Sequence, residues 1–289
     1  MTTVRFFWVD VFAQAPLTGN PLALVPDADV LTVEQMIAIA REFNQSETTF
    51  LVTPTLGGAD YRLRSFTPDG SEVLGAGHNA MGAWIWLASS GSLPVHRIAY
   101  AQQIGTDLLA VRIERGTVTM QQSSPRFLRR VLDRASLAGA LGLPHLDLDS
   151  RLAAEVVSTG AEHLLVALSS REAVDRVAPK SARLKEFLAD SGAEGCYVYS
   201  TESGPDGADA YSRFFNPTVG IAEDPATGTA AGPLAALLVR EGRAIDGRQV
   251  RILQGSALGR PSILNVLIDS NRVELSGTGL VVAEGTLHL

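Results

Sequence analysis

Two stretches of the 289-residue chain carry the side chains best suited to chemistry on a small anion. The first, GAGHNAMGAWIWLASSG (75–91), sets Gly77, His78 and Asn79 at the head of an apolar, helix-like run. The second, EDPATGTAAGPLAALL (223–238), sets Asp224, Thr227, Gly228 and Thr229 at the head of another. The leading N–H groups of a helix have no intrahelical acceptor and stand at the positive end of its dipole, so each start suits a carboxylate or a phosphate. His78 would meet that positive end, which disfavours the imidazolium and leaves a neutral hydrogen-bond partner or proton relay near pH 7. Asp224 with Thr227 and Thr229 supplies a carboxylate and two hydroxyls. A helix cap accounts for one of these; three exceed what a cap needs and favour a site.

Gly75, Gly77 and Ala80 also satisfy the G-x-G-x-x-G/A pattern of dinucleotide-binding turns. That reading needs a strand immediately upstream and an acid about 20 positions on. The upstream strand ends at Phe66, the next acid is Asp107, and no G-x-x-x-x-G-K-[ST] occurs. A nicotinamide-dependent oxidoreductase is therefore the weaker alternative, and a non-catalytic carboxylate-binding protein stays open beside an enzyme. The five histidines show no i,i+3 or i,i+4 pair and the one cysteine, Cys196, is remote from them, so no metal is expected. A single cysteine also precludes an intrachain disulfide and suits a reducing compartment.

These residues need elements to hold them. VRFFWVDVF (4–12) and PLALVP (21–26) read as strands, and TVEQMIAIAREFN as an amphipathic helix opened by a Thr32–Gln35 capping box. SETTFLVTP and DYRLRSF read as further strands, with Ser46 and Glu47 at the mouth of the first. TPDGSEVLGAG reads as a loop, followed by the helix from His78 to Gly91. From 117 the texture repeats: GTVTMQQ, the pair around STGAEH, GCYVYST and ADAYSRFF as strands, SARLKEFLADSG as a helix, then a loop, the second apolar helix ending at Gly242, and three or four more strands. RSFTPDGSEVLGAG can be laid over SRFFNPTVGIAEDPATG with the glycines 151 residues apart and the phenylalanines 149 apart. An internal duplication follows: an α+β chain of two pseudo-symmetric halves, each a strongly bent sheet around one apolar helix, with a cleft between them. The halves are expected at 1–116, joined by a C-terminal strand at about 278–289, and at 117–277.

A net charge of −7 argues against nucleic acid, and the densest basic cluster, RFLRR (126–130), reads as a solvated helix or loop face. No run of about 18 apolar residues suggests a membrane span, and MTTVRFFWVDVF lacks the pattern of a signal peptide, so a cytoplasmic protein is expected.

VDVFAQAPLTGNPLALV, IAREFNQSETTFLV, GAGHNAMGA, EDPATGTAAGPLAALL and QGSALGRPS, in this order, resemble segments of the PhzF-like family of phenazine-biosynthesis isomerases, which are built on the diaminopimelate epimerase fold. The resemblance implies a mostly antiparallel sheet around a central helix in each half, an active site between the halves, and a homodimer. It implies a cofactor-independent isomerase that shifts a proton on one face of a small unsaturated amino or hydroxy acid, such as a dihydro-hydroxyanthranilate. It makes Glu47 the general acid/base, a role its position alone does not suggest, since glutamates are common where a helix hands over to a strand. His78 and Asp224 become its polar partners, and Gly77, Asn79, Gly228 and Thr229 line the substrate. Burial is expected to raise the pKa of Glu47 toward neutrality. Two departures bear on the substrate: Asn79 where proline is usual, and Thr229 where serine is common. The related epimerases use two cysteines, and Cys196 lies in neither helix-start loop, which excludes a two-thiol racemase.

Overall fold

In the computed structural model, which describes residues 2–289, the alternation in TVRFFWVDV becomes the strand Thr3–Val11. It is flanked on both sides by antiparallel neighbours, Asn20–Val25 and Gly279–His288. Helix α1 (Val33–Phe43) then crosses to Thr48–Val52, which lies parallel to Asn20–Val25, as a helical crossover permits. The capping box forms reciprocally, Thr32 Oγ1 accepting from the Gln35 N–H and Gln35 Oε1 from the Thr32 N–H. Asn44 ends α1 in the left-handed region. Thr48–Val52 pairs with antiparallel Tyr61–Phe66. A second crossover, through the two-residue strand Glu72–Val73 and helix α2 (His78–Ser89), leads to Ala99–Ile104, parallel to Tyr61–Phe66. Asp107–Glu114 and Thr117–Gln122 follow as hairpins.

The same order recurs downstream. After Arg126–Val131 and helix α3 (Arg134–Leu141) comes Ala154–Ser158, antiparallel to Arg126–Val131 and to Glu162–Ala167. Helices α4 (Arg171–Asp175) and α5 (Ser181–Ser191) cross to the parallel strand Gly195–Ser200. Ala210–Asn216 returns antiparallel, the short strand Ile221–Asp224 and helix α6 (Gly228–Arg240) follow, and Gln249–Gln254 lands parallel to Ala210–Asn216. Ser262–Asp269 pairs back on it. The chain divides into two compact units, one running up to Gln121 and taking in Ser276–Leu289, the other Gln122–Leu275. The expected duplicated α+β architecture is present, with α2 and α6 as the central helices.

Nine of the twelve residues of α2 are buried, which is why the run is apolar on every side rather than along one stripe. Gly82 lies where a Cβ would come within 2.5 Å of Leu22 Cδ2 and 2.8 Å of Val11 Cγ2. Alanine at this position gains about 1 kcal/mol of helix propensity, but overpacking costs about 1–3 kcal/mol. Gly82→Ala should therefore lose about 1–2 kcal/mol in urea unfolding; an unchanged midpoint would show that Leu22 and Val11 yield freely.

Two expectations are corrected. RFLRR is neither helix nor loop but the strand Arg126–Val131: its side chains are solvated, as expected, while its backbone is paired to Ala154–Ser158. The two loops ahead of the central helices each contain a short strand, Glu72–Val73 and Ile221–Asp224, held to the preceding strand. No helix among the described residues is long and apolar enough to cross a membrane.

Candidate active site

The turn from α1 into Thr48–Val52 brings Glu47 against the first residue of α2. Glu47 Oε2 lies 3.1 Å from His78 Nε2, and Ser46 Oγ lies 3.4 Å from the same nitrogen. Oε2 is itself buried, with no hydrogen-bond donor aligned to it, although the side chain as a whole keeps 18 % of its exposure. One oxygen is thus shut against the imidazole while the rest of the carboxylate remains reachable. Burial pushes the Glu47 pKa up to about 7, the desolvation that disfavours a carboxylate in low dielectric.

Gly77 and Asn79 stand beside this pair. Asn79 Oδ1 accepts from the Gly77 N–H at 2.7 Å, while Asn79 Nδ2 donates to Gly75 O and to Ser65 Oγ. The Asn79 amide is therefore committed to shaping the loop ahead of α2, and it engages the Gly77 N–H. Asn79→Ala removes three hydrogen bonds, one of them to the buried Ser65, and should cost about 1–2 kcal/mol, measured as a lowered urea midpoint; an unchanged midpoint would mean that water replaces the amide at no cost.

The start of α6 is built differently. Thr227 is its N-cap residue, yet the Thr227 hydroxyl does not cap the helix and instead donates to Asp224 Oδ2 at 2.5 Å. Gln254 ties the turn together: its Nε2 donates to Asp224 O and Thr227 Oγ1, and its Oε1 accepts from the Thr227 N–H and from Tyr197 OH. Thr229 Oγ1, one residue into α6, lies 3.1 Å from His163 Nε2. Neither central helix has a capping side chain, nor does α5, whereas α1, α3 and α4 are capped by Thr32, Asp133 and Ser170. The N-cap residues of α2 and α6, Gly77 and Thr227, thus make no side-chain cap hydrogen bond.

Each unit therefore gathers its own set: Glu47, His78, Gly77 and Asn79 in the first; Asp224, Gly228 and Thr229 in the second. The duplication extends to the supports of these turns. Arg64 forms a two-bonded ion pair with Glu72 and lies over the Phe66 ring, and Arg213 does the same with Glu223 and Phe215. His163 and Gln254 are additions that the sequence did not mark. Among the described residues no three His, Cys, Asp or Glu side chains group closely enough to hold a metal ion. Cys196 is fully buried on Gly195–Ser200, and burial pushes its thiol up to about 12, so it presents no thiolate.

The family model PhzC-PhzF, described as phenazine biosynthesis-like protein, matches residues 9–285. The trans-2,3-dihydro-3-hydroxyanthranilate isomerase of Pseudomonas fluorescens is 37 % identical over 289 residues, covering 97 % of this chain and 98 % of that enzyme. The crystal structure of a PhzF-family phenazine biosynthesis protein from Bacillus anthracis superposes with a TM-score of 0.91 at 26 % identity over 100 % of both chains. A hydroxyproline epimerase from Agrobacterium vitis, 12 % identical with a TM-score of 0.65 over 99 % of this chain and 91 % of its own, shares the epimerase-like fold alone. Matched by the family model over nearly its whole length, and by a named isomerase over almost all of both chains, this chain belongs to the PhzC-PhzF family of phenazine biosynthesis-like isomerases.

Proposed function

We propose that the protein shifts one proton across a single face of a small, unsaturated cyclic amino or hydroxy carboxylic acid of the dihydro-hydroxyanthranilate class, with Glu47 as base and then acid and without a cofactor. The observation that carries this reading is the carboxylate itself, pressed against His78 with a pKa near 7. A carboxylate at that value takes a proton from a carbon α or vinylogous to a carboxylate more readily than an exposed one would, and still returns it at neutral pH. His78 holds the orientation of the carboxylate from its fixed place in α2. One base serves both carbons of a same-face shift, whereas epimerisation needs a second base on the opposite face. A helix start without a side-chain cap offers N–H groups to a carboxylate, and Asp224 and Thr229 offer polar contacts to an amino or hydroxyl group. The name of the Pseudomonas relative supports the substrate class.

The protein should isomerise trans-2,3-dihydro-3-hydroxyanthranilate, and in deuterated buffer deuterium should enter the receiving carbon to the extent that the proton held on Glu47 exchanges before it is returned. Because only ionised Glu47 can accept a proton, kcat/KM should fall tenfold per pH unit below about 7 and level off above it. A flat profile from pH 5 to 8 would remove Glu47 from the role, and binding of anthranilate with neither isomerisation nor hydrogen exchange in any substrate tried would make the protein a carboxylate binder instead.

A further inference from the structure

The start of α6 includes a buried imidazole that the proposed reaction leaves without a task. His163, on the strand Glu162–Ala167, is 3 % exposed, with Nε2 at 3.1 Å from Thr229 Oγ1 and Nδ1 buried without a partner. Its ring meets Phe214 edge to face, centroids 5.1 Å apart. Phe214 fits there because its neighbour Gly195, register partner of His163 on the parallel strand, has no side chain: a Cβ would lie 2.4 Å from Phe214 Cζ. A strand pair, an aromatic ring and a glycine thus hold one imidazole against one hydroxyl.

We propose that His163 is a positioning residue that donates through Nε2–H to Thr229 Oγ1 and so turns the threonine's own O–H toward the substrate's carboxylate. The proposal takes the identity of that carboxylate from the isomerase reading. The tautomer follows from the unpartnered Nδ1. A buried N–H without an acceptor is rarer and more costly than a bare lone pair, so the ring proton belongs on Nε2, where an acceptor exists. Thr229 Oγ1 then accepts from the ring and keeps its own hydrogen to donate. Among the described residues His163 is the only side chain hydrogen-bonded to Thr229 Oγ1, and Thr229 is only partly buried. Burial depresses the His163 pKa to about 4, which keeps the ring neutral at working pH. With no carboxylate behind Nδ1 to stabilise an imidazolium, the pair lacks what makes a serine–histidine–aspartate triad a base. It orients a donor.

The test is a double-mutant cycle of His163→Leu and Thr229→Val, reading kcat, KM and the Kd of anthranilate. Each single change should raise KM and Kd by about tenfold, the loss falling on binding rather than on kcat. The double variant should be no worse than either single one, and His163→Gln, whose amide can donate to Thr229, should recover most of the loss. Losses that add in the double variant would mean that the imidazole only fills space, and would overturn the proposal. A fall in kcat at unchanged KM would make His163 a proton relay and overturn it equally. If the wild-type protein binds anthranilate but neither isomerises any substrate nor exchanges its hydrogen, the isomerase reading fails, while the coupling between His163 and Thr229 is still read from Kd.

Discussion

Glu47→Gln should lower turnover by about 10³-fold while anthranilate still binds within a few-fold of wild type, because glutamine keeps the shape but can neither take nor return a proton. Its second signature is thermodynamic. Burial raises the folded-state pKa of Glu47 from 4.5 to about 7, so the folded protein binds this proton more tightly than the unfolded chain does. The stability associated with the protonated form is complete below pH 4.5 and is lost as pH rises to about 7. Allowing for the exposed edge of the carboxylate, the loss is on the order of 2–3 kcal/mol. The glutamine side chain titrates nowhere in this range. The variant should therefore match wild type in urea unfolding near pH 4.5 and be the more stable protein at pH 8. Undiminished turnover would dismiss Glu47 as the acid/base; a variant less stable than wild type at pH 8 would show that the carboxylate is not desolvated.

The largest loss of stability should come from Arg213→Met. Arg213 forms two hydrogen bonds with Glu223, at 2.8 and 2.7 Å, and its Nη1 also donates to the carbonyls of Val174, Asp175 and Val177 at the end of α4. The two side chains are only 10 % and 11 % exposed. Removing the guanidinium leaves a buried carboxylate and several carbonyls without their donor, at a cost of about 3–5 kcal/mol. Its counterpart in the first unit, Arg64–Glu72, is 18 % and 33 % exposed, so Arg64→Met should cost about 1 kcal/mol. Replacing both Arg213 and Glu223 by apolar residues should recover part of the loss. Urea unfolding of the variants decides the matter, and equal costs at the two arginines would show that burial does not set the difference. Because Glu223 adjoins Asp224, Arg213→Met should also disturb the loop ahead of α6.

The two helix starts were legible because their chemistry is local: glycine and polar side chains cluster ahead of an apolar run, and such a cluster occurs twice. Glu47 was legible only through the resemblance. Its residue type and position are ordinary, and what distinguishes it is burial against His78, which is distant in sequence. His163 was hidden for the same reason, since the hydroxyl that gives it meaning is 66 residues away. The strand Ala99–Ile104 was obscured by Gln102 and Gln103, polar residues where a buried strand is expected to be apolar. Gln102 accepts from Trp84 Nε1, and Gln103 accepts the Thr55 and Leu56 N–H groups, so each is inside because the fold supplies a partner. Arg126–Val131 was masked by its charge: solvation of side chains says little about whether the backbone between them is paired. Asn79 stood out as a departure from the usual proline, but only the folded loop shows its amide holding Gly75 and Gly77.

The strand Gly279–His288, which flanks Thr3–Val11, is synthesised only after every residue of the second unit. Until then Thr3–Val11 has an open edge, a template for pairing with other chains, and α2 lacks the wall that Gly279 places against Ile85. Arg5 and Glu284 meet across the finished pair from positions 279 residues apart. Closing so long a loop is entropically costly and slow, whereas the second unit is assembled from one continuous stretch of sequence. On the ribosome the unit that begins the chain is thus the later of the two to mature, and the unit that carries Glu47 is the one whose nascent edge most needs protection.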